Sequence, residues 1–300
     1  MNDALPKAAV FSGLPPAKSW TNTIYPLNRG DLEAEQERLN YNHHRIWLPL
    51  TGELAPPHVL DAVKKFQAPR IADVATGNGV WLKSMAEEMP PQAELYGFDL
   101  DTVKFPPVER RMPNMTFQQH DILNRFPQEL HGTFDLVHVR LLIFALKSHE
   151  WSVTIQHIME LLKPGGWIVW EEVGQISMRS FPPSRAFDEW WRLHLIHLVN
   201  NGGNEWMPYR LVPSLRSAGL ENCDHRIWST WSSETVNQDD VPEVLIGLVK
   251  PTLTSVVESG GLEIVQTMED VLLLESNIIM DIRNGMKLGF DWYRAWGMKP

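Results

Sequence analysis

The chain has 300 residues, 43% hydrophobic and 21% charged, an ordinary globular balance that excludes wholesale disorder. A formal net charge of −10 argues against a broad nucleic-acid-binding face, which needs a basic surface, so no nucleic-acid partner is expected. The single cysteine, Cys223, excludes an intrachain disulfide and a cysteine cluster for zinc. It suits a cytoplasmic location, as does an N-terminus, MNDALPKAAVF, without the apolar core of a signal peptide. No run of about 18 apolar residues occurs, so no membrane span is expected.

Residues 1–22 are rich in Pro and Ala and read as a mobile segment. Residues 31–48, DLEAEQERLNYNHHRIWL, read as one amphipathic helix. Leu32, Leu39, Ile46 and Trp47 share its apolar side, and Asp31 is a candidate N-cap. A second helix, HVLDAVKKF, follows Pro56-Pro57. From residue 70 the pattern alternates. Strand candidates lie at 70–75, 94–100, 115–120, 134–139 and 166–173. Helices fall at 80–89 and 150–162, with a short piece after Ile122. Such alternation implies a parallel sheet covered on both faces. "KPGG", residues 163–166, stops a helix and turns into the fifth strand.

Past Val173 the rhythm changes to helical patterns at 184–201, 207–219, 241–259 and 268–284. Ser184 is a cap, and Pro251 is a candidate kink. Strand patterns at 222–230 and 287–298 complete the sheet. Exposed helices within 241–284 offer either a homodimer face or cap core. Thirteen tryptophans supply core filler or an aromatic pocket.

The stretch "IADVATGNGVW", residues 71–81, breaks a strand into a glycine turn ahead of a helix. A dinucleotide fingerprint would need Gly or Ala at position 82, which is Leu82, and no GK[ST] follows for a phosphate loop. The turn reads Asp73-Val74-Ala75-Thr76-Gly77-Asn78-Gly79, a D-x-G-x-G-x-G pattern with Ala75 at its first glycine. Acids recur at successive strand ends: Asp73, Asp99 in "YGFDLD" and Asp121 in "FQQHDIL".

This constellation resembles the class I S-adenosylmethionine-dependent methyltransferases. In more detail it resembles their fungal secondary-metabolite branch. The shared features are Glu35, Arg38 and Leu39 ahead of His43 and His44, then "ATGNGVW", "FDLVHVR" and "LLKPGGWIVWEE". The resemblance covers roughly residues 30–230 and is strongest at 70–173. It implies an α/β fold: a Rossmann-like, seven-stranded, mostly parallel sheet with helices on both faces. It further implies a helical lid over 23–67 and a methyltransferase domain over 68–300, with helical cap insertions at about 176–210 and 240–285.

The implied cofactor is S-adenosyl-L-methionine, released as S-adenosylhomocysteine. Its amino-acid tail would lie on Ala75, Thr76, Gly77, Asn78 and Gly79. Asp73 would take the ammonium directly or through water, Asp99 the ribose hydroxyls and Asp121 the adenine amino group. Leu100, Ile122, Val139 and Arg140 would flank it. Tyr25 and Trp47, with Tyr41 and Asn42, are lid candidates. The Ala75 methyl narrows the turn.

Methyl transfer is an in-line displacement in which the protein supplies alignment and, for a high-pKa nucleophile, a base. Candidate bases are Glu171, Glu172, His138 and His44. Glu171 and Glu172 end the fifth strand, where ligands of open α/β sheets gather, and alternation turns one of them toward the pocket. His138 alternates with Val137 and Val139 inside a strand. His194 and His197 share a helix face but lack a third ligand, so no metal is expected. Trp190, Trp191 and His194 are candidates to roof a hydrophobic substrate pocket. The function expected is methyl transfer to a hydroxyl, amide nitrogen or thiol of a hydrophobic natural product. The alternatives are a regulator acting through protein partners and a cyclase that retains the cofactor.

Overall fold

The computed structural model describes residues 32–300. The expectations for residues 1–22, and for Tyr25 and the start of the lid, lie outside the described residues. Five strands alternate with helices: β1 (Arg70–Val74), β2 (Glu94–Asp99), β3 (Met115–Gln119), β4 (Phe134–Arg140) and β5 (Leu162–Val173). They are followed by β6 (Arg179–Phe181), β7 (Glu221–Ser229), β8 (Lys287–Gly289) and β9 (Asp291–Met298). The main sheet has seven strands in the order β3-β2-β1-β4-β5-β9-β7. β1 to β5 pair in parallel, and β9 runs antiparallel to both β5 and β7. The seven-stranded, mostly parallel sheet expected from the sequence is present. The pattern at 287–298 is two strands, because Phe290 separates β8, which pairs with β6, from β9.

The helices are α1 (Leu32–Tyr41), α2 (Leu48–Thr51), α3 (Pro57–Val63), α4 (Val80–Glu88) and α5 (Glu150–Leu161). Later come α6 (Arg185–Asn200), α7 (Met207–Ser217), α8 (Val241–Glu258) and α9 (Met268–Arg283). The helix expected over 31–48 is not uniform. Residues 42–47 wind as a π-helix between α1 and α2. Leu48 N–H reaches back five residues to the His43 carbonyl, and Pro49, next in line, has no N–H to offer. The short helix expected after Ile122 is reduced to a single 3-10 turn at Gln128–Leu130. Asp121 instead accepts from the Leu123 N–H at 3.0 Å, a side-chain turn that competes with helix. α8 continues unbroken through Pro251.

Strand alternation sorts side chains to the two sheet faces. In β4, Val137 and Val139 join the core beneath α5 and α7, while Leu136 joins the core beneath α3 and α4. His138 shares the face of Leu136, where Trp81 of α4 stacks on it at 3.8 Å between ring centroids. A third core joins α6, α8 and α9 to Trp47, Phe290 and Trp292. This core lies beyond the C-terminal end of β5 and walls one side of the site. Among the described residues no helix is long and apolar enough to cross a membrane.

Candidate active site

The turn after β1 folds through three left-handed residues: Ala75 at φ 60°, Gly77 at φ 57° and Gly79 at φ 74°. This reversal aims backbone N–H groups forward. Thr76 N–H donates to the Phe98 carbonyl at 2.9 Å, tying the turn to β2. Gly77 N–H donates to Asp99 Oδ2 at 2.7 Å, and Asp101 N–H donates to Asp99 Oδ1 at 2.9 Å. Each Asp99 oxygen thus takes one donor and keeps lone-pair capacity. Burial pushes this carboxyl up, opposed by the donors from Asp101 and Gly77 and by Lys104.

Ala75 pays a steric cost that glycine would not. The left-handed conformation costs a non-glycine residue about 1–2 kcal/mol, against about 0.5–1 kcal/mol of extra chain entropy lost by glycine. Ala75→Gly is therefore expected to stabilise the chain by about 0.5 kcal/mol. Ala75→Val, β-branched at positive φ, should cost about 2 kcal/mol, both read by urea denaturation.

A cavity of about 270 Å³ opens in front of the turn. One lobe is polar, walled by Ala75 to Asn78, Asp99 to Asp101, and Asp121 with Ile122. Glu35, Arg38 and Leu39 of α1 close over it. Arg38 forks onto Glu35 through Nε and Nη2, each at 2.8 Å. The other lobe is apolar, walled by Leu141 to Leu146, Val173, Met178, Phe290 and three residues of α8. Arg140 and Trp47 also line the cavity. Arg140 Nη1 lies 3.2 Å from His43 Nδ1. Burial, and then the Arg140 charge, hold His43 well below its ordinary value. Arginine only donates, so neutral His43 accepts at Nδ1 and donates from Nε2 to Ser84 Oγ at 3.0 Å. Trp47 stacks on Trp292 with centroids 4.3 Å apart.

The polar lobe fits the implied cofactor. Bare backbone at the turn, a carboxylate with spare lone pairs at the end of β2 and an acid after β3 suit an amino-acid tail, a ribose diol and an adenine amine. Of the residues expected to hold the cofactor, Ala75, Thr76, Gly77, Asn78, Asp99, Leu100, Asp121, Ile122, Arg140 and Trp47 line the cavity. Gly79, Val139 and Asp73 do not. Gly79 caps α4 and Val139 is core. Asp73 is 3% exposed and sits under the turn. Its Oδ2 accepts from Thr76 Oγ1 at 2.6 Å, and its Oδ1 faces His138 Nδ1 at 2.7 Å. It braces the turn from below.

The candidate bases are elsewhere, and this corrects the sequence reading. His44 is exposed and off the cavity wall. His138 is fully buried between Asp73 and Glu171, whose Oε2 lies 3.3 Å from Nε2. Glu171 Oε1 accepts from Arg294 Nε at 2.6 Å and Trp292 Nε1 at 3.2 Å. Burial alone would raise the Glu171 carboxyl, but Arg294 and His138 hold it below the usual range. Arg294 continues to the Glu53 carbonyl at 2.7 Å. These groups form a buried hydrogen-bonded chain across β1, β4, β5 and β9, not a reactive edge. Alternation does put Glu171 and Glu172 on opposite faces; Arg140, the register partner of Glu171, reaches the cavity wall, and neither glutamate does.

Glu172, fully buried, accepts from the N–H groups of Leu142 (2.8 Å) and Ile143 (3.3 Å) and from Trp170 Nε1 (3.0 Å). It pins the loop that walls the apolar lobe. Burial pushes its carboxyl up to about 8 from an ordinary 4.5. Between those values the folded chain holds a proton that the unfolded chain has lost. Stability from this group is therefore present below about pH 4.5 and is lost as pH rises toward about 8. Glu172→Gln should flatten that part of the stability-versus-pH curve, by a few kcal/mol across the window, read by urea denaturation at a series of pH values.

Trp190, Trp191 and His194 do not roof the cavity either. Trp190 Nε1 donates to Thr252 Oγ1 at 3.0 Å, and Trp191 Nε1 donates to the Gln175 carbonyl at 2.9 Å. Both dock α6 on its neighbours. His194 is buried behind Phe144, with ring centroids 4.9 Å apart. The wall itself comes from residues without a motif: the loop after β4, Gln175, Met178, α8 and Phe290. Glu35 and Arg38 enter the sequence reading only through the family resemblance, and Leu39 also as part of an apolar helix face; their shared spacing is the signal that points to the site. Among the described residues no group of three or more His, Cys, Asp or Glu gathers to hold a metal.

Comparisons with known proteins agree with this geometry. A family model described as a methyltransferase domain matches residues 71–166. Methyltransferase grgD of a Penicillium species is 31% identical over 249 residues, covering 80% of this chain and 84% of the relative. N-methyltransferase tcpN of Claviceps purpurea is 33% identical over 191 residues, 63% of this chain and 66% of the relative. The secondary metabolism regulator laeA of Coprinopsis cinerea is 31% identical over 161 residues, 51% of this chain and 37% of the relative. The chain belongs to the S-adenosylmethionine-dependent methyltransferases, in their fungal secondary-metabolite branch.

Proposed function

We propose that this chain methylates a nitrogen of a largely apolar small molecule. The observation that carries the reading is the continuous cavity, with acids and bare turn backbone at one end and hydrocarbon at the other. When bound, the cofactor supplies a methyl group on a sulfonium, open to in-line displacement. Asp99 and Asp121 hold the nucleoside end. Asp73, through Thr76, keeps the turn in shape. The α1 helix and Trp47 act as the lid and exclude water, and α6, α8 and α9 act as the substrate-side cap. Arg140 and neutral His43 form the floor.

Among the described residues, Glu171, Glu172, His138 and His44 stay off the wall, and His120, which is on it, lies beside Asp121 at the nucleoside end. The residues present therefore align and desolvate more than they take a proton. A neutral amine nitrogen is nucleophilic without first losing a proton, so it suits such a site better than an alcohol, which needs a base. The relative named as an N-methyltransferase supports the same choice.

The test is incubation of the purified chain with methyl-labelled S-adenosylmethionine and matched apolar amines, phenols and thiols, read by mass spectrometry. Label in N-methyl products alone is the expected result, and label in ethers or thioethers alone would overturn the choice of nitrogen. The likeness to a secondary metabolism regulator favours a second reading, action through a protein partner. A stable partner recovered with a chain that labels no acceptor would favour that reading.

A further inference from the structure

Arg140 is the last residue of β4, and Leu141 after it turns away at φ 61°. Val74 and Val139 are register partners, so Arg140 leaves its strand at the level where Ala75 opens the glycine turn. It lines the cavity beside the residues of the apolar lobe that follow it. Nη1 meets His43 Nδ1, its one side-chain hydrogen bond among the described residues. Nε and Nη2 have no partner there and are not sealed from their surroundings, so both keep accessible surface.

These two atoms form the side-on fork of the guanidinium, which matches the two oxygens of a carboxylate. Arg38, on the lid of the same cavity, uses that fork on Glu35. Lys104, also on the wall, lies 3.9 Å from Asp101. The carboxylates near Arg140 are engaged elsewhere: Asp73 by Thr76 and His138, Glu171 by His138, Trp292 and Arg294. Burial lowers the Arg140 pKa, and the Glu171 and Asp73 charges oppose that, though neither forms an ion pair with it. A buried guanidinium with an open fork is costly unless a partner arrives. Arg140 borders two cavities. The smaller, about 10 Å³ and bordered also by His43, Glu53, Glu171 and Arg294, holds no more than a water. A carboxylate that meets the fork therefore enters through the large cavity.

We propose that Arg140 is the carboxylate receptor of the cavity and forks onto the carboxylate of the cofactor's amino-acid tail, beside the turn. The inference rests on the reading of the cavity as a methyltransferase site. It adds that the chain selects its cofactor by the tail's carboxylate and not by the nucleoside alone. An acceptor with a carboxylate of its own offers the same chemistry, and the test separates the two sources.

The experiment is calorimetric titration of the full chain with S-adenosylhomocysteine and with its decarboxylated analogue, which keeps the nucleoside, thioether and ammonium. Wild type is expected to prefer S-adenosylhomocysteine by about tenfold or more, as a charge-assisted pair of bonds implies. Arg140→Gln should bring the two ligands within about threefold. Arg140→Lys, which keeps the charge without the fork, should fall between. Trp47 also lines the wall and its indole N–H can donate, so the loss of preference on removing the guanidinium alone is what assigns the carboxylate to Arg140. A loosened fold would weaken both ligands together and leave the preference standing. In a second arm, the chain saturated with S-adenosylhomocysteine is titrated with tryptophan and tryptamine, one amine with and without a carboxylate. No preference between these that depends on Arg140 is expected.

Equal affinity for the two nucleosides in wild type, or a preference that Arg140→Gln keeps, would overturn the inference and leave the methyltransferase reading intact. A preference for tryptophan that Arg140→Gln removes, with none between the nucleosides, would move the site to the acceptor and overturn the assignment to the tail. Failure of S-adenosylhomocysteine itself to bind would overturn the methyltransferase reading instead. The wild-type comparison stands even where Arg140→Gln fails to fold.

Discussion

Arg294→Met should destabilise the chain by about 3–5 kcal/mol, because it takes the nearest cation from the buried Glu171 carboxylate rather than removing a neutral contact. Arg294 is 1% exposed, its Nε lies 2.6 Å from Glu171 and its Nη2 lies 2.7 Å from the Glu53 carbonyl. It also passes 5.0 Å over the Trp228 ring. Without it, Glu171 keeps His138 and Trp292 as hydrogen-bond partners and the Arg140 charge nearby. The reverse change, Glu171→Gln, leaves Arg294 with the Glu53 carboxylate, 3.2 Å from Nη1, and should cost somewhat less. Either variant should lower the melting temperature by on the order of 10 °C. Both should bind S-adenosylhomocysteine within about threefold of wild type when assayed well below that temperature. A Glu171→Gln chain of unchanged stability that loses methyl transfer would instead make Glu171 a base, against its place off the cavity wall.

Asp99→Ala should weaken S-adenosylhomocysteine binding by about 100-fold or more. Hydrogen bonds to a charged group contribute about 1.5–3 kcal/mol each, and two such bonds to a ribose diol reach that factor. The variant also frees the Gly77 and Asp101 N–H groups, which Asp99 holds at 2.7 and 2.9 Å. The turn would loosen along with the lost contacts. Calorimetry reads the affinity, and circular dichroism checks that the sheet is intact. Affinity within about threefold of wild type would remove Asp99 from the cofactor site.

Much of this was legible in the sequence, for identifiable reasons. The strands of the parallel half have a period of two and are bounded by turn residues. The acids at Asp73, Asp99 and Asp121 mark strand ends, since carboxylates are tolerated where the sheet meets its ligand edge. The turn residues Ala75 to Asn78 were legible because positive φ leaves a glycine signature. Ala75 shows the limit of that signature, for it adopts φ 60° without being glycine.

The substrate lobe was not legible. Its wall is assembled from Leu141 to Leu146, Gln175, α8 and Phe290, which are far apart in the chain and carry only ordinary hydrophobic residues. The conspicuous Trp190 and Trp191 drew attention, but large aromatics serve a core as readily as a pocket. Glu171, Glu172 and His138 misled for a related reason. Strand alternation says which face a residue takes, not whether that face holds a ligand or a buried ion pair. That distinction depends on Arg294, more than a hundred residues away in sequence (294 − 171), which register places opposite Glu171.

The central claim is that one cavity seats the cofactor in its polar lobe and leaves the apolar lobe for the acceptor. A crystal structure of the full chain with S-adenosylhomocysteine tests it most directly. This account expects the nucleoside between Asp99 and Asp121, the amino-acid tail on the Ala75–Gly77 backbone, and the lobe in front of Gln175 still open. A nucleoside seated among Leu142, Leu248 and Phe290, or anywhere outside this cavity, would contradict it.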